Sequence, residues 1–286
     1  MRIGEFEVVI ITDGYERLDG GAMFGVVPKV LWEKTNPPDD RNRILMGLNC
    51  LLVTGNGKRI LIDTGVGSKN DPKFCDIYGI EGRSSLLDSL KGYGLEPGDI
   101  DIVINTHLHF DHAGGNTCRD EKGRVAPTFP NARYFTQKGE WDVALNPNER
   151  TRATYLKENF LPLEEAKCLE LIDGDVEIIK GVSLLKTPGH TMHHQSVLIG
   201  SGSERGLFIG DLIPMSPHLH LPYIMAYDLY PLTTLETKRW LLKRAMEEDW
   251  IIFLDHDPKI KAGRVRNANN RYMVEELSMH DLMEGE

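Results

Sequence analysis

The chain has few cysteines: Cys50, Cys75, Cys118 and Cys168, none in Cys-x-x-Cys spacing. That scatter argues against a zinc knuckle and a disulfide framework and suits reduced thiols. No run of about 18 apolar residues occurs anywhere, which excludes a membrane-spanning helix. Basic residues are in deficit, 33 Lys+Arg against 43 Asp+Glu for a formal net charge of −10, so a nucleic-acid backbone is a poor partner. Met1 to Glu7 has no basic stretch leading into an apolar one, so no secretory signal is expected and a soluble, cytoplasmic protein is. No internal repeat of fixed period is present. What remains is a composition of 41% hydrophobic and 27% charged residues over 286 positions, enough to bury a sizeable core.

The most informative stretch is Thr106-His107-Leu108-His109-Phe110-Asp111-His112. It follows Asp99 to Asn105, a short β-branched run that reads as a buried strand. A strand throws alternate side chains to one face, so His107, His109 and Asp111 share a face while the extended geometry lasts. His112 breaks the alternation, so the chain must curl after Phe110, and Ala113-Gly114-Gly115 is small enough to allow close backbone approach. Four potential ligands in six positions point to metal binding.

Along the chain, Glu5 to Thr12 reads as an opening strand and Asp13 to Gly21 as a turn-rich exit. Ala22 to Trp32 is apolar with no clean period, which leaves core and lid both open, and residues 19–34 are taken as a candidate active-site loop. Asn49–Thr54 and Lys58–Asp63 flank Gly55-Asn56-Gly57 as a hairpin, and Asp63 ends it beside the cluster, as a hydrogen-bond partner of a ligand or as a turn residue. Ser84 to Leu90 reads as a helix capped by Ser84, Ala132 to Thr136 as a strand, and Gln137–Leu145 and Arg150–Asn159 as helices. Two strand pairs follow, Val176–Ile179 with Val182–Leu185 and Gln195–Gly200 with Leu207–Gly210. Thr233 and Glu236 have capping-box spacing for a helix to about Met246, and Trp250 to Leu254 is the last clear strand.

Each remaining candidate ligand sits where a strand stops: His190 after Leu184-Leu185-Lys186, Asp211 after Leu207-Phe208-Ile209, and His256 after Ile251 to Leu254. Loops on one rim of a sheet are the usual place to assemble a site from distant segments. The ordered set His107-x-His109-x-Asp111-His112, Thr187-Pro188-Gly189-His190, Gly210-Asp211 and His256 resembles the full ligand set of the metallo-β-lactamase superfamily, over nearly the whole chain. The resemblance implies an α/β fold, a four-layer αββα sandwich in one domain over residues 1–286, with metals at one edge. It also implies roles: His107, His109 and His190 on one metal, Asp111, His112 and His256 on the other, Asp211 bridging, and His194 in support. Imidazole and carboxylate without thiolate suit two divalent ions, zinc first, with Fe, Mn or Co as alternatives. Such a pair can hold a hydroxide for attack on a carbonyl or phosphoryl group, with Asp111 orienting it and passing a proton.

Among branches with these ligands, the chain lacks the Glu that flavodiiron proteins carry where His109 stands. Only about 30 residues follow His256, too few for the helical domain of a glyoxalase II. Asp19 to Pro28, and Gly210 to Pro214 continuing from His218 to Asp228, resemble segments of quorum-quenching lactonases and methyl parathion hydrolase. The expected function is hydrolysis of an N-acyl-homoserine-lactone-like lactone. Other ester, thioester or phosphotriester hydrolysis, or a mononuclear iron sulfur dioxygenase using His107, His190 and Asp211, are the alternatives. Met23, Phe24, Tyr223 and Met225 are the candidate acyl-chain wall or, equally, plain core. Some lactonases carry a tyrosine where this chain has Pro214, which leaves Tyr223, His218 or a different substrate to account for the difference. The partner is a small molecule, with neither nucleic acid nor membrane, and a homodimer is left open.

Overall fold

The computed structural model describes residues 1–80, 86–201, 204–269 and 271–277. Two seven-stranded sheets face each other. The first runs Arg2–Ile3, Phe6–Asp19, Arg43–Gly55, Lys58–Ile62, Ile102–Ile104, Arg133–Gln137, Leu169–Ile172 in spatial as in chain order, and the second likewise runs Val176–Ile179, Val182–Lys186, Gln195–Ser201, Glu204–Phe208, Ile251–Phe253, Ala262–Ala268, Arg271–Glu276. Period-2 alternation explains the layers. Ile60, Ile62, Ile102 and Ile104 point inward against Val182, Leu184, Val197 and Phe208 of the opposite sheet. Leu61 and Val103 point outward onto Leu86 and Leu90 of the helix Leu86–Gly92. On the far side, Leu207 and Ile252 pack on Leu241, Leu242 and Ala245 of the helix Pro231–Glu247. A strand buried on both faces must read as an uninterrupted apolar run, as these do, and the result is the expected αββα sandwich.

The hairpin closes with positive φ at Asn56 (51°) and Gly57 (70°), and the Gly55–Lys58 pair brackets it. Lys58–Ile62 and Ile102–Ile104 are parallel neighbours, as are Glu204–Phe208 and Ile251–Phe253. The C-terminal ends of these strands deliver Asp63, the His107 cluster, Asp211 and His256 to one rim.

Several expectations need correction. The segment from Asp13 is no turn-rich exit: the first long strand continues to Asp19 through a bulge between Thr12 and Tyr15. Residues 20–32 hold two short helices, Gly20–Phe24, capped by the Asp19 carboxylate on the Ala22 N–H at 2.8 Å, and Lys29–Trp32. Arg150–Asn159 is not a helix. The Asn148 side chain accepts from the Arg150 and Thr151 amides and closes a local turn, and only Lys157–Asn159 forms a 3-10 turn before the helix Leu161–Glu165. The late helix starts at Pro231, whose fixed φ suits a first helical position, so the Thr233–Glu236 capping box is not used and Glu236 pairs with Arg239 instead. Ile251–Phe253 is followed by two further strands, Ala262–Ala268 and Arg271–Glu276. Ser84 lies outside the described residues. No helix among them is long and apolar enough to cross a membrane.

Candidate metal centre

The chain curls after the strand Ile102–Ile104 as the spacing requires. His109 ends the extended run and Phe110–Ala113 forms one helical turn, which swings Asp111 and His112 back toward the centre. Thr64 fixes that turn, its amide and hydroxyl both donating to the His112 carbonyl at 2.8 and 3.0 Å. Gly114 must be glycine, because a Cβ there would lie 2.2 Å from the Val66 carbonyl oxygen. At the next strand end, Gly210 has φ +64°, and a Cβ would meet His194 Nε2 at 2.6 Å, so only glycine lets Asp211 enter so closely.

The structure brings all seven expected ligand residues together, each nine-tenths or more buried. His109 Nδ1 lies 3.0 Å from both His107 Nε2 and His190 Nε2. His112 Nε2 and His256 Nε2 face each other at 3.1 Å. Asp211 sits between the groups, with Oδ2 3.1 Å from His190 Nε2 and Oδ1 3.2 Å from His256 Nε2. Asp111 Oδ2 is 3.7 Å from His112 Nε2 and 3.6 Å from His256 Nε2.

Hydrogen bonds on the far side of four of the five rings place a proton there. His190 Nδ1 donates to Asp228 (3.0 Å), His256 Nδ1 to the Gly47 carbonyl (2.9 Å) and His112 Nδ1 to Asp63 (2.9 Å). Asp63 also accepts from the Thr106 hydroxyl at 2.8 Å, which leaves that oxygen to accept from His107 Nδ1 at 3.1 Å. In four rings the inner Nε2 is therefore the nitrogen left free to meet a cation or to take a second proton. Lone pairs aimed at one another across about 3 Å repel unless a cation or proton lies between them, and Asp211 Oδ1 has no hydrogen-bond partner among the described residues. This donor set fits divalent ions.

Without an ion, the carboxylates of the centre call for positive charge. Burial holds His107 and His109 well below the usual histidine range, reinforced by the neighbouring rings. Burial also opposes charge on His112, His190 and His256, yet the surrounding carboxylates outweigh it and push His256 up to about 10. His194, brought down to about 3 by burial and His190, is a neutral ring held by Thr187 at 2.9 Å. Behind the loops, Glu140 accepts from the Leu108 amide (3.2 Å), Tyr155 hydroxyl (2.8 Å) and Thr191 hydroxyl (2.7 Å), tying the cluster to the His190 loop.

A cavity of about 360 Å³ opens over His109, Asp111, His190, Asp211 and His256, within the range of small-molecule sites. Its wall is largely apolar: Leu18, Met23, Met46, Phe110, Met225 and Leu229, with Tyr78, Tyr227 and Arg150 as polar members. Of the four candidate wall residues, Met23 and Met225 line it. Phe24 stands behind, stacked on Trp32 at 5.3 Å and on His218 at 4.8 Å, with Tyr223 edge-on at 6.0 Å. His218 donates to the Met23 carbonyl at 2.8 Å. Neither Tyr223 nor His218 faces the cavity, whereas Tyr78 and Tyr227 do.

Sequence reasoning missed these two tyrosines and Arg150, and also Asp228, Asp255 and Glu16. Asp255, with neither carboxylate oxygen hydrogen-bonded among the described residues, belongs with His112, Asp211 and His256 to one potential ligand group, and burial pushes it up to about 8. Its place beside His256 at a strand end was a usable signal. Tyr78 had none, since it reaches the wall from a separate helix, Pro72–Tyr78.

Comparison with known proteins agrees with the geometry. The metallo-beta-lactamase superfamily profile matches residues 45–256. An N-acyl homoserine lactonase of Bacillus sp is 37% identical over 161 residues, covering 52% of this chain and 57% of that protein, so the match spans little more than half of the relative. A probable metal-dependent hydrolase from Staphylococcus aureus superposes with a TM-score of 0.87 at 30% identity, covering 97% of this chain and 100% of the other. AidC, a dizinc quorum-quenching lactonase solved with a product bound, superposes at 0.80 with 26% identity, covering 97% and 96%.

Proposed function

Because the chain belongs to the metallo-β-lactamase superfamily, we propose that it is a dinuclear metal-dependent hydrolase that opens lactones of the N-acyl-homoserine type. The observation that carries this reading is that two ligand groups share Asp211 and open onto one apolar cavity. The likeness to N-acyl homoserine lactonases supports the substrate class. In this reading His107, His109 and His190 would hold one ion and Asp111, His112 and His256 the other, with Asp211 within reach of both groups. Bound there, two divalent ions, zinc first, supply a strongly nucleophilic water at neutral pH and polarise the scissile carbonyl.

The chain's own residues do the rest. Met23, Met46, Met225 and Leu229 take the acyl chain, and burying each methylene stabilises the complex by about 0.8 kcal/mol. Asp111, which lines the cavity, accepts a proton from the attacking water and returns it to the ring oxygen as the acyl carbon–oxygen bond breaks. Burial keeps the Tyr78 and Tyr227 hydroxyls protonated, so either can donate to the lactone carbonyl or ring oxygen, a role Pro214 cannot fill.

The test is a panel of homoserine lactones, δ-lactones, aryl esters and paraoxon, run on protein stripped of metal and reloaded with zinc, cobalt or manganese. Lactone opening that requires metal and is lost in His107→Ala is expected. Activity unchanged in His107→Ala, or a single iron with oxygen consumption on a persulfide, overturns the reading.

A further inference from the structure

Glu16 lies on the strand Phe6–Asp19 and is completely buried. Neither of its carboxylate oxygens has a hydrogen-bond partner among the described residues. A buried carboxylate with no donor is costly and calls for a reason. One of its oxygens lies within 4.8 Å of ligand atoms of both Asp111 and His256.

The backbone aims it there. The bulge between Thr12 and Tyr15 inserts one residue, so Glu16 pairs with Met46 rather than with Leu45. Directly opposed residues of an antiparallel pair share a face, and Met46 lines the cavity, as does Leu18 two residues beyond Glu16. Without the bulge, Glu16 would point to the opposite face. The groups acting most strongly on it are those of the centre: the carboxylates of Asp111 and Asp211 oppose its charge, and the rings of His256 and His112 favour it. A cation bound beside Asp111 and His256 would give that carboxylate the partner it lacks.

We propose that Glu16 is an additional ligand, on the metal held by Asp111 and His256. This rests on the reading that the centre holds two divalent ions. A further carboxylate makes that position richer in oxygen than its partner, which carries three imidazoles. Hard ions such as manganese gain most from the exchange.

Metal-free protein is titrated with cobalt, zinc and manganese, with bound ions counted by mass spectrometry and affinities fixed by chelator competition. Wild type takes two ions. Glu16→Gln keeps one with unchanged affinity, loses tenfold or more on the second, loses more for manganese than for zinc, and shifts the cobalt d–d spectrum. On adding metal, Glu16→Gln gains less in melting temperature than wild type. A Glu16→Gln protein with two ions at wild-type affinity and an unchanged spectrum overturns the assignment. Should that variant not fold, Glu16→Asp keeps the charge with a shorter reach: a weakened second ion supports the proposal and an unchanged one refutes it. A wild type that takes up fewer than two ions is a separate result and removes the dinuclear reading itself.

Discussion

Asp63 offers a test that separates holding a ligand from holding the fold. Its carboxylate accepts from the Thr106 amide at 2.8 Å, the Thr106 hydroxyl at 2.8 Å and His112 Nδ1 at 2.9 Å. Through that hydroxyl it also sets His107, so one carboxylate governs a ring in each ligand group. In Asp63→Asn the oxygen on Thr106 N–H is kept, but an amide NH₂ replaces the oxygen facing His112 and the hydroxyl. That NH₂ donates to His112 Nδ1, which moves the ring's proton to Nε2, the nitrogen that faces the centre. The shape survives and the ligand tautomer is lost. Replacing such supporting partners weakens metal binding by about 10–100-fold, or about 1.4–2.7 kcal/mol.

Asp63→Ala behaves differently. It removes three hydrogen bonds to a charged acceptor, each contributing about 1.5–3 kcal/mol, against several kcal/mol recovered because no carboxylate is buried. Asp63 also has φ 55°, a left-handed conformation that Asn tolerates and that costs Ala about 1–2 kcal/mol. A net loss of about 3–5 kcal/mol is expected for Ala and under about 1 kcal/mol for Asn. Urea melts of the metal-free proteins, with zinc competition against a chelator, read the two effects apart. An Asn variant with wild-type metal affinity, or one as unstable as Ala, refutes the tautomer argument.

Three further outcomes follow from the same structure. Met225→Ala should lower kcat/KM about tenfold more for a decanoyl than for a butyryl lactone, since the wall contributes about 0.8 kcal/mol per buried methylene; an equal loss along the series would place Met225 outside the acyl site. Chelation should lower the melting temperature by about 5–10 °C, reversibly on adding metal, because ligands bound only by the folded state stabilise it by mass action; an unchanged melt argues against a resident metal. Lys238 is buried under the segment before Met225, donating to the His220, Leu221 and Tyr223 carbonyls at 3.2, 3.4 and 2.8 Å, and burial brings it down from 10.5 to about 7, against the pull of Asp228. Between those values the unfolded chain binds the extra proton, so wild-type stability should rise with pH relative to Lys238→Met, and a pH-independent difference in paired urea melts would refute it.

How far the sequence carries is set by the physics of each feature. His107 to His112, His190, Asp211 and His256 were legible because a strand buried on both faces is an apolar run, and a polar residue at its end announces a rim. Arg150–Asn159 and the Thr233–Glu236 cap were misread for the opposite reason: they depend on which side chain wins a local competition for backbone amides, and Asn148 and Pro231 won. The wall was half legible, since Met23 and Phe24 are neighbours in sequence but a single turn sends one to the cavity and the other against Trp32. Glu16 was the hardest to see. Period 2 assigns a strand residue to a face only while the register holds, and one inserted residue reverses every assignment beyond it. Read by alternation from Phe6 and Val8, which face the opposite sheet, Glu16 falls among core positions of an apolar interface, where a carboxylate makes no sense. The same polar residue that looks like an error under regular pairing becomes intelligible once the pairing shifts. A lone charged residue in a strand, beyond a Gly, is therefore a signal of a bulge and of whatever the bulge was kept to present.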